Sequence, residues 1–175
     1  MTGQINVNKI VPRTGTGVAI PGHVIQVVSS DFTDVATGTG TTPVDTGLAA
    51  TITPKFSNSK IYINGFISVG SSDYLVYCHI VRGSTQLLIG DAGGTRPRVT
   101  LSMTYSSGNE VYNCQPLGFS YLDSPNTTSA TTYKIQIRHY TTNTWYVNRT
   151  SQDREYANLH EPRCASTIAL MEIAQ

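Results

Sequence analysis

Ser166-Thr-Ile-Ala-Leu-Met-Glu-Ile-Ala174 is the stretch that decides the fold, because its apolar residues fall on both sides of a two-residue repeat. Alternate residues of a β-strand point to opposite faces of the sheet, so both faces of this strand are largely apolar. Only Glu172 interrupts the face that carries Leu170. A carboxylate on an apolar face is costly to bury unless it is paired. We therefore expect Glu172 to have a partner, an Arg or a Tyr, in its own sheet or in a neighbouring subunit.

The rest of the chain also has the periodicity of strands, and turn-forming residues separate them. No window has the apolar spacing of a convincing helix. Many short strands at near-regular intervals predict an all-β sandwich, jelly roll or barrel. The predicted strands are His23–Ser30, Gly47–Thr53, Ser59–Val69, Tyr74–Val81, Arg98–Tyr105, Gln115–Leu122, Thr131–Tyr140 and Asn143–Arg149, followed by the terminal strand.

Two of these strands lack a polar face. Thr131–Tyr140 alternates cleanly and predicts an antiparallel strand with one face in water, whereas Tyr74–Val81 and the terminal strand are apolar on both sides. A second apolar face needs a cover, and a neighbouring subunit is the usual one. The alternative is a loop of the same chain. The subunit-interface candidates are Leu75, Tyr77, His79, Val81, Leu170 and Glu172.

The first 20 residues have a different character from the sandwich that we expect over residues 21–175. Apolar residues are spread among Gly, Thr and Asn, and Pro21-Gly22 separates this stretch from the first predicted strand. The pattern is typical of an extended arm that adds to the sheet edge of a partner and fills pockets with alternate side chains. The residues predicted to make this contact are Ile5, Val7, Ile10 and Val11.

Composition excludes several functions. Charged residues are 13% of the 175 residues and the net charge is +1. The protein as a whole therefore has no strong positive electrostatic potential that would attract nucleic acid or an acidic membrane. We find no signal peptide and no apolar run long enough to span a bilayer. The cysteines Cys78, Cys114 and Cys164 form no CxxC pair, and we expect reduced packing residues made in a reducing cytoplasm.

Catalytic and metal-binding patterns are missing from the sequence. The carboxylates are scattered, and the four histidines have no ligand spacing. His79 and His139 lie within strands and are expected to be satisfied packing residues. We therefore predict no enzyme activity, no catalytic residue, no metal and no cofactor.

Tyrosine, with ten copies, leaves one alternative open. Tyrosine rings beside Asn and Asp are used by sugar-binding surfaces, although tyrosine also simply suits strands and half-buried interfaces. The tyrosines near strand ends or loops are Tyr105, Tyr112, Tyr121, Tyr140 and Tyr146.

Most of the chain resembles a family of small β-rich virion proteins of tailed bacteriophages, especially those that infect cyanobacteria. The resemblance rests on strand signatures and not on catalytic motifs. They are Asn6-Val-Asn-Lys-Ile10, Pro21-Gly-His-Val-Ile-Gln-Val-Val28, Ile52-Thr-Pro-Lys-Phe-Ser-Asn-Ser-Lys-Ile61, Thr132-Tyr-Lys-Ile-Gln-Ile-Arg138, Tyr146-Val-Asn-Arg149 and Ser166-Thr-Ile-Ala-Leu-Met-Glu-Ile173.

The resemblance implies an antiparallel jelly roll like that of the trimeric tumour-necrosis-factor and complement-C1q domains, in which an inner sheet packs on a three-fold axis. It implies a homotrimer in a virion, made in the host cytoplasm and anchored by its arm to another virion protein, either the major capsid protein or a tail or fibre protein. Such a protein would decorate or cement a capsid or form a short fibre. The alternative is a tail-fibre module that recognises a glycan on the host surface.

Overall fold

A computed structural model describes residues 20–104, 110–155 and 160–175. The described residues form strands and a single 3₁₀ turn at Glu110–Tyr112. No helix among them is long and apolar enough to cross a membrane. The strands are β1 (Val24–Phe32), β2 (Ala36–Thr39), β3 (Val44–Ile52), β4 (Lys60–Ser71), β5 (Leu75–Arg82), β6 (Thr85–Leu87), β7 (Leu101–Thr104), β8 (Gln115–Asp123), β9 (Thr131–His139), β10 (Thr144–Val147) and β11 (Ser166–Ile173).

The strand pairing is that of a jelly roll. β1 pairs with β11, β3 with β9, β4 with β8 and β5 with β7, and every pair is antiparallel. The chain is therefore one long hairpin whose two arms wrap into two sheets. Sheet A contains β1, β11, β4, β10, β2 and β8, and sheet B contains β3, β9, β5, β6 and β7. This arrangement confirms the predicted all-β sandwich.

Each of the nine predicted strands has a counterpart in the structure, with ends shifted by one to a few residues. The inward residues of β4, Ile61, Ile63, Ile67 and Val69, alternate along the strand and are completely buried. The alternation of β9 is confirmed as well: its apolar residues are buried and its charged residues lie on the outer face. Two short strands, β2 and β6, were not predicted.

The two strands that are apolar on both faces lie in different sheets. β5 is a strand of sheet B and β11 is a strand of sheet A, so their outer faces point away from each other. One neighbouring surface therefore cannot cover both.

Four of the predicted interface residues are buried within the subunit itself. Leu170 belongs to the apolar core, and Glu172 lies on the same inner face. His79 and Val81 are only 2% and 1% exposed, so this chain already covers them. The prediction of a subunit contact is wrong for these four positions, because they offer no surface to a partner.

Glu172 does have a partner in its own sheet, although the partner is neither Arg nor Tyr. Its carboxylate accepts a 2.6 Å hydrogen bond from Gln26 Nε2 of the adjacent strand β1. It also accepts hydrogen bonds from the backbone N–H groups of Lys55 and Phe56, at 2.8 and 3.2 Å, in the segment that follows β3. The carboxylate therefore joins the two sheets at one end of the core.

Candidate assembly surface

The outer face of sheet A carries an apolar row that crosses four strands. Val27 of β1 is opposite Met171 of β11, Met171 is opposite Tyr62 of β4, and Tyr62 is opposite Leu122 of β8. Directly opposed residues of antiparallel strands lie side by side on the same face. We call Val27, Met171, Tyr62 and Leu122 the sheet A row.

The sheet A row is open to solvent at both ends and half-buried in the middle. Val27 and Leu122 are 56% and 46% exposed, and Met171 and Tyr62 are partly covered. Single exposed apolar residues are ordinary, but a contiguous apolar patch on a sheet is typical of an interaction site. No charged side chain lies within the row, and the nearest one on the same face of β4 is Lys60, two residues from Tyr62.

The outer face of sheet B is closed by its own polar side chains. Asp45 of β3 accepts hydrogen bonds of 2.7 Å from both Lys134 Nζ and Gln136 Nε2 of β9. The Lys134 and Gln136 bonds lower the pKa of the Asp45 carboxyl group. Arg138 places its guanidinium 4.3 Å from the centre of the Tyr77 ring, in a cation–π contact.

The remaining interface candidates of β5 are half-buried beside these groups. Leu75 and Tyr77 are neither wholly covered nor freely exposed. Both nitrogens of the neighbouring His79 are buried without a hydrogen-bond partner. Burial, followed by repulsion from Arg138, lowers the pKa of His79 to about 4. The expectation that His79 is satisfied is therefore wrong, and the residue is held neutral inside the subunit.

His139 is satisfied at one nitrogen only. Its Nδ1 contacts the backbone N–H and the hydroxyl of Thr141 at 3.1 and 2.9 Å, while its Nε2 is buried without a partner.

Within the part of the chain that the structure describes, no three His, Cys, Asp or Glu side chains group together in a way that could hold a metal ion.

A second surface feature is a tyrosine cluster at one end of the sandwich. Asp73 Oδ2 accepts hydrogen bonds from Tyr140 Oη at 3.0 Å and from Asn143 Nδ2 at 2.6 Å. The Tyr74 and Tyr140 rings meet edge to face with their centres 6.3 Å apart, and they are 49% and 36% exposed. Hydrogen bonds to Asp73, first from the Tyr74 backbone and then from Tyr140 and Asn143, lower the pKa of its carboxyl group. Exposed rings beside fixed polar groups are a combination that can bind a sugar.

The other tyrosines of the predicted glycan surface are not in this cluster. Tyr112 is exposed elsewhere, Tyr121 packs against the core, and Tyr146 is covered by the Arg149 guanidinium at 4.2 Å. Tyr105 lies outside the described residues, as do the arm residues Ile5, Val7, Ile10 and Val11.

An open cavity of about 390 Å³ lies between the turn after β5 and the connection from β8 to β9. Its one charged lining residue is Arg82, whose Nη1 is 2.7 Å from Asp123 Oδ2. The Tyr133 hydroxyl donates to the same oxygen at 2.7 Å. Arg82 therefore has a structural task, since it neutralises a carboxylate that is buried at the end of the core.

Register explains which site residues the sequence pattern missed. Val27, Tyr62 and Leu122 belong to three different strands, and only the strand pairing aligns them with Met171. A signal was present, because each of the three is an apolar residue at an outward position of its strand.

Neither a protein-family model nor a curated protein matches this chain. Among solved structures, it is similar to the VP2 subviral particle of infectious bursal disease virus, at 12% identity and a TM-score of 0.41 over 97% of this chain and 37% of that one. It is also similar to T=1 particles derived from infectious bursal virus, at 11% identity and a TM-score of 0.45 over 98% of this chain and 41% of the other. The chain thus spans less than half of those chains, and at such scores the jelly-roll assignment rests on the strand pairing of this chain alone.

Proposed function

We propose that this protein is a structural component of a tailed-phage virion that assembles as a homotrimer through the outer face of sheet A. The observation that carries the proposal is the sheet A row, an uncharged apolar stripe on an otherwise complete domain. The resemblance of the sequence to phage virion proteins supports the location.

A symmetric assembly suits this surface. In a closed trimer the residues beside the three-fold axis meet their own copies, so a charged residue at that place would face like charges. The sheet A row brings together Val27, Met171, Tyr62 and Leu122 without any charge. On the sheet B face of the described residues, Asp45, Lys134 and Arg138 already have partners within the subunit. Leu75 and Tyr77, half-buried on the outer face of sheet B, stay predicted interface residues that a contact through sheet A alone does not include.

The N-terminal arm would join the trimer to another virion protein, either the major capsid protein or a tail or fibre protein. Ile5, Val7, Ile10 and Val11 would fill pockets of that partner, while backbone groups extend one of its sheets. The described chain starts beside the C-terminal strand, where Gly22 N donates to Ala174 O at 2.9 Å. A compact domain on such an arm suits a head-decoration or cement protein, or a knob on a fibre whose shaft is another chain.

Deletion of residues 1–20 separates anchoring from assembly. We expect the shortened protein to remain a soluble trimer and to be missing from purified particles in a mass-spectrometric count. The matched variant Ile5→Ser/Val7→Ser/Ile10→Ser/Val11→Ser should have the same defect if the side chains make the contact. Normal incorporation of either variant would refute the anchoring role.

The tyrosine cluster favours a second function, recognition of a glycan on the host surface. Tyr74, Tyr140, Asp73 and Asn143 offer two rings and a fixed polar group on one exposed edge. A glycan array should then find a ligand that the wild-type protein binds and that Tyr140→Ala does not, while Tyr112→Ala, at a separate exposed tyrosine, binds normally. An array without binders, together with unchanged adsorption of phage that lack the protein, would rule this function out.

A further inference from the structure

The tyrosine cluster lies at the end of the sandwich opposite to the start of the described chain. At one end, Val24 of β1 is opposite Ile173 of β11, and Ile173 is opposite Lys60, the first residue of β4. At the other end, Asp73 and Tyr74 lie in the turn from β4 to β5. Because β4 has 12 residues, the two ends are about 36 Å apart. An arm that anchors the domain at the first end leaves the tyrosine cluster on the side away from the anchoring partner.

Hydrogen bonds between two turns form the cluster without any ligand. Ser72 N and Ser72 Oγ donate to Thr144 O at 3.0 and 3.1 Å, and Thr144 N donates to Ser72 Oγ at 3.1 Å. These bonds join the turn after β4 to the first residue of β10. Tyr140 N, directly after β9, donates to Leu75 O at 3.3 Å. The backbones that carry Tyr74 and Tyr140 are therefore fixed relative to each other.

The carboxylate of Asp73 gives the cluster a negative charge. Its two side-chain hydrogen bonds come from neutral donors, Tyr140 Oη and Asn143 Nδ2. Among the described residues, no Lys or Arg forms an ion pair with it. His139, whose ring centre is 4.8 Å from that of Tyr140, accepts the Thr141 N–H at Nδ1 and is therefore a neutral imidazole. Within the described part of the chain, the charge of Asp73 thus has no cation beside it.

The two tyrosine rings add a surface that attracts a cation. The ring planes of Tyr74 and Tyr140 are 78° apart, so they form a corner, and both residues are open to solvent. The face of a tyrosine ring attracts a positive charge that lies within about 6 Å of the ring centre. A neighbouring carboxylate strengthens this attraction and repels an acidic sugar. The site therefore suits a ligand with a positively charged ammonium group.

We propose that the tyrosine cluster binds a positively charged ammonium group carried by a glycan on the host surface. The ammonium group lies in the corner between Tyr74 and Tyr140, and Asp73 is its counter-charge. Such a group occurs as the free amine of an amino sugar or as a quaternary ammonium substituent such as choline. The inference rests on glycan recognition, the second function proposed above, and adds the chemical group that is recognised.

Calorimetric titration of the full-length protein with four small ligands tests the proposal. Choline and methyl glucosaminide carry the positive charge, while methyl N-acetylglucosaminide and methyl glucuronide are the neutral and acidic controls. At a mildly acidic pH that protonates the amine, at least one of the two cations should bind about tenfold or more tighter than the neutral sugar. Its affinity should fall as salt is raised, and the acidic sugar should not bind. Binding of choline alone identifies a quaternary ammonium ligand, and binding of the glucosaminide alone identifies a free amine.

Variants assign the binding to the cluster. Asp73→Asn removes the charge but keeps the size of the side chain, and it should weaken binding of the cation about tenfold. Tyr140→Ala should abolish binding, whereas Asp91→Asn, at an exposed carboxylate elsewhere, should bind like the wild type. The thermal midpoint of each variant shows that it is folded, and the comparison of charged and neutral sugars on the wild type needs no variant.

Three results would overturn the ammonium proposal: no binding of either cation, equal binding of the glucosaminide and its N-acetyl form, or unchanged binding by folded Asp73→Asn. Glycan recognition itself fails separately. A neutral glycan from the array that the wild type binds and Tyr140→Ala does not would keep glycan recognition while refuting the ammonium group as its determinant.

Discussion

The outer faces of the two sheets differ in how they are completed. On sheet B the subunit finishes its own surface: Lys134 and Gln136 bind Asp45, Arg138 covers the Tyr77 ring, and His79 lies buried below the surface. On sheet A the row from Val27 to Leu122 is apolar, and among the described residues its two ends are about half exposed. We therefore assign stability within the subunit to the sheet B face and the proposed contact with other subunits to the sheet A face.

Glu172 gives the largest expected effect on stability, because it tests whether β11 has one structural face and one surface face. Glu172→Ala leaves the N–H groups of Lys55 and Phe56 without their side-chain acceptor and removes one of the two acceptors of the Gln26 amide. We expect a loss of about 3 kcal/mol in the free energy of unfolding, measured in urea.

Two controls belong to this measurement. Glu172→Gln keeps one acceptor oxygen and should lose less, and Glu155→Ala, at an exposed position, should change the free energy by less than about 0.5 kcal/mol. An equal loss for Glu155→Ala and Glu172→Ala would show that the buried carboxylate has no special role.

His79 gives the next effect and tests the closed face of sheet B. Its folded pKa of about 4 lies below the unfolded value of about 6.5, so the unfolded chain takes up the proton first as the pH falls. Stability from this residue is therefore present above pH ~6.5 and is lost towards pH ~4, by up to about 3 kcal/mol. Burial lowers the pKa of His139 too, so this residue also makes the protein less stable as the pH falls.

The comparison that isolates His79 is the pH dependence of unfolding in wild type and His79→Leu. The variant should be at least as stable at pH 7, since both nitrogens of the histidine lack partners, and its loss between pH 6.5 and 4 should be smaller. His23→Leu, at an exposed histidine, is the matched control. Identical pH curves for wild type and His79→Leu would contradict the claim that His79 is held neutral beneath the outer face of sheet B.

The Arg138–Tyr77 contact gives the smallest effect. Arg138→Ala removes the cation and the hydrocarbon stem that cover the ring, for an expected loss of about 1 kcal/mol. Arg96→Ala, at an exposed arginine, should be neutral in the same thermal unfolding experiment. The oligomeric state should be unaffected by Arg138→Ala, and a change in it would move part of the assembly surface to sheet B.

The strands were largely predictable because their inward residues alternate. Ile61, Ile63, Ile67 and Val69 of β4 and Tyr133, Ile135 and Ile137 of β9 both show a clear period of two. β2 was missed because Ala36-Thr-Gly-Thr39 is only four residues long, lacks a large apolar residue and contains Ala and Gly, which are depleted in strands; it forms because it pairs with β10, where Trp145 packs over Gly38. β6 is only three residues long and is held by its hairpin with β5.

The candidate site was only partly predictable, for a different reason. An apolar pattern indicates that a face is covered, but not by what: on β5 the cover for His79 and Val81 is the same chain, and on β11 the face with Met171 stays half open. Which strands share a sheet depends on long-range pairing that no local pattern contains. The alignment of Val27, Tyr62 and Leu122 with Met171 needed that pairing.

The mass in solution, measured by light scattering at micromolar concentration, tests the role of sheet A most directly. The wild type should have three times the chain mass of 19.0 kDa, and Leu122→Lys, at one end of the sheet A row, should have the mass of one chain. Leu88→Lys replaces a leucine that is 49% exposed, against 46% for Leu122, but outside the row, and should stay trimeric. A monomeric wild type, or a trimer that tolerates Leu122→Lys as well as Leu88→Lys, would contradict assembly through this face.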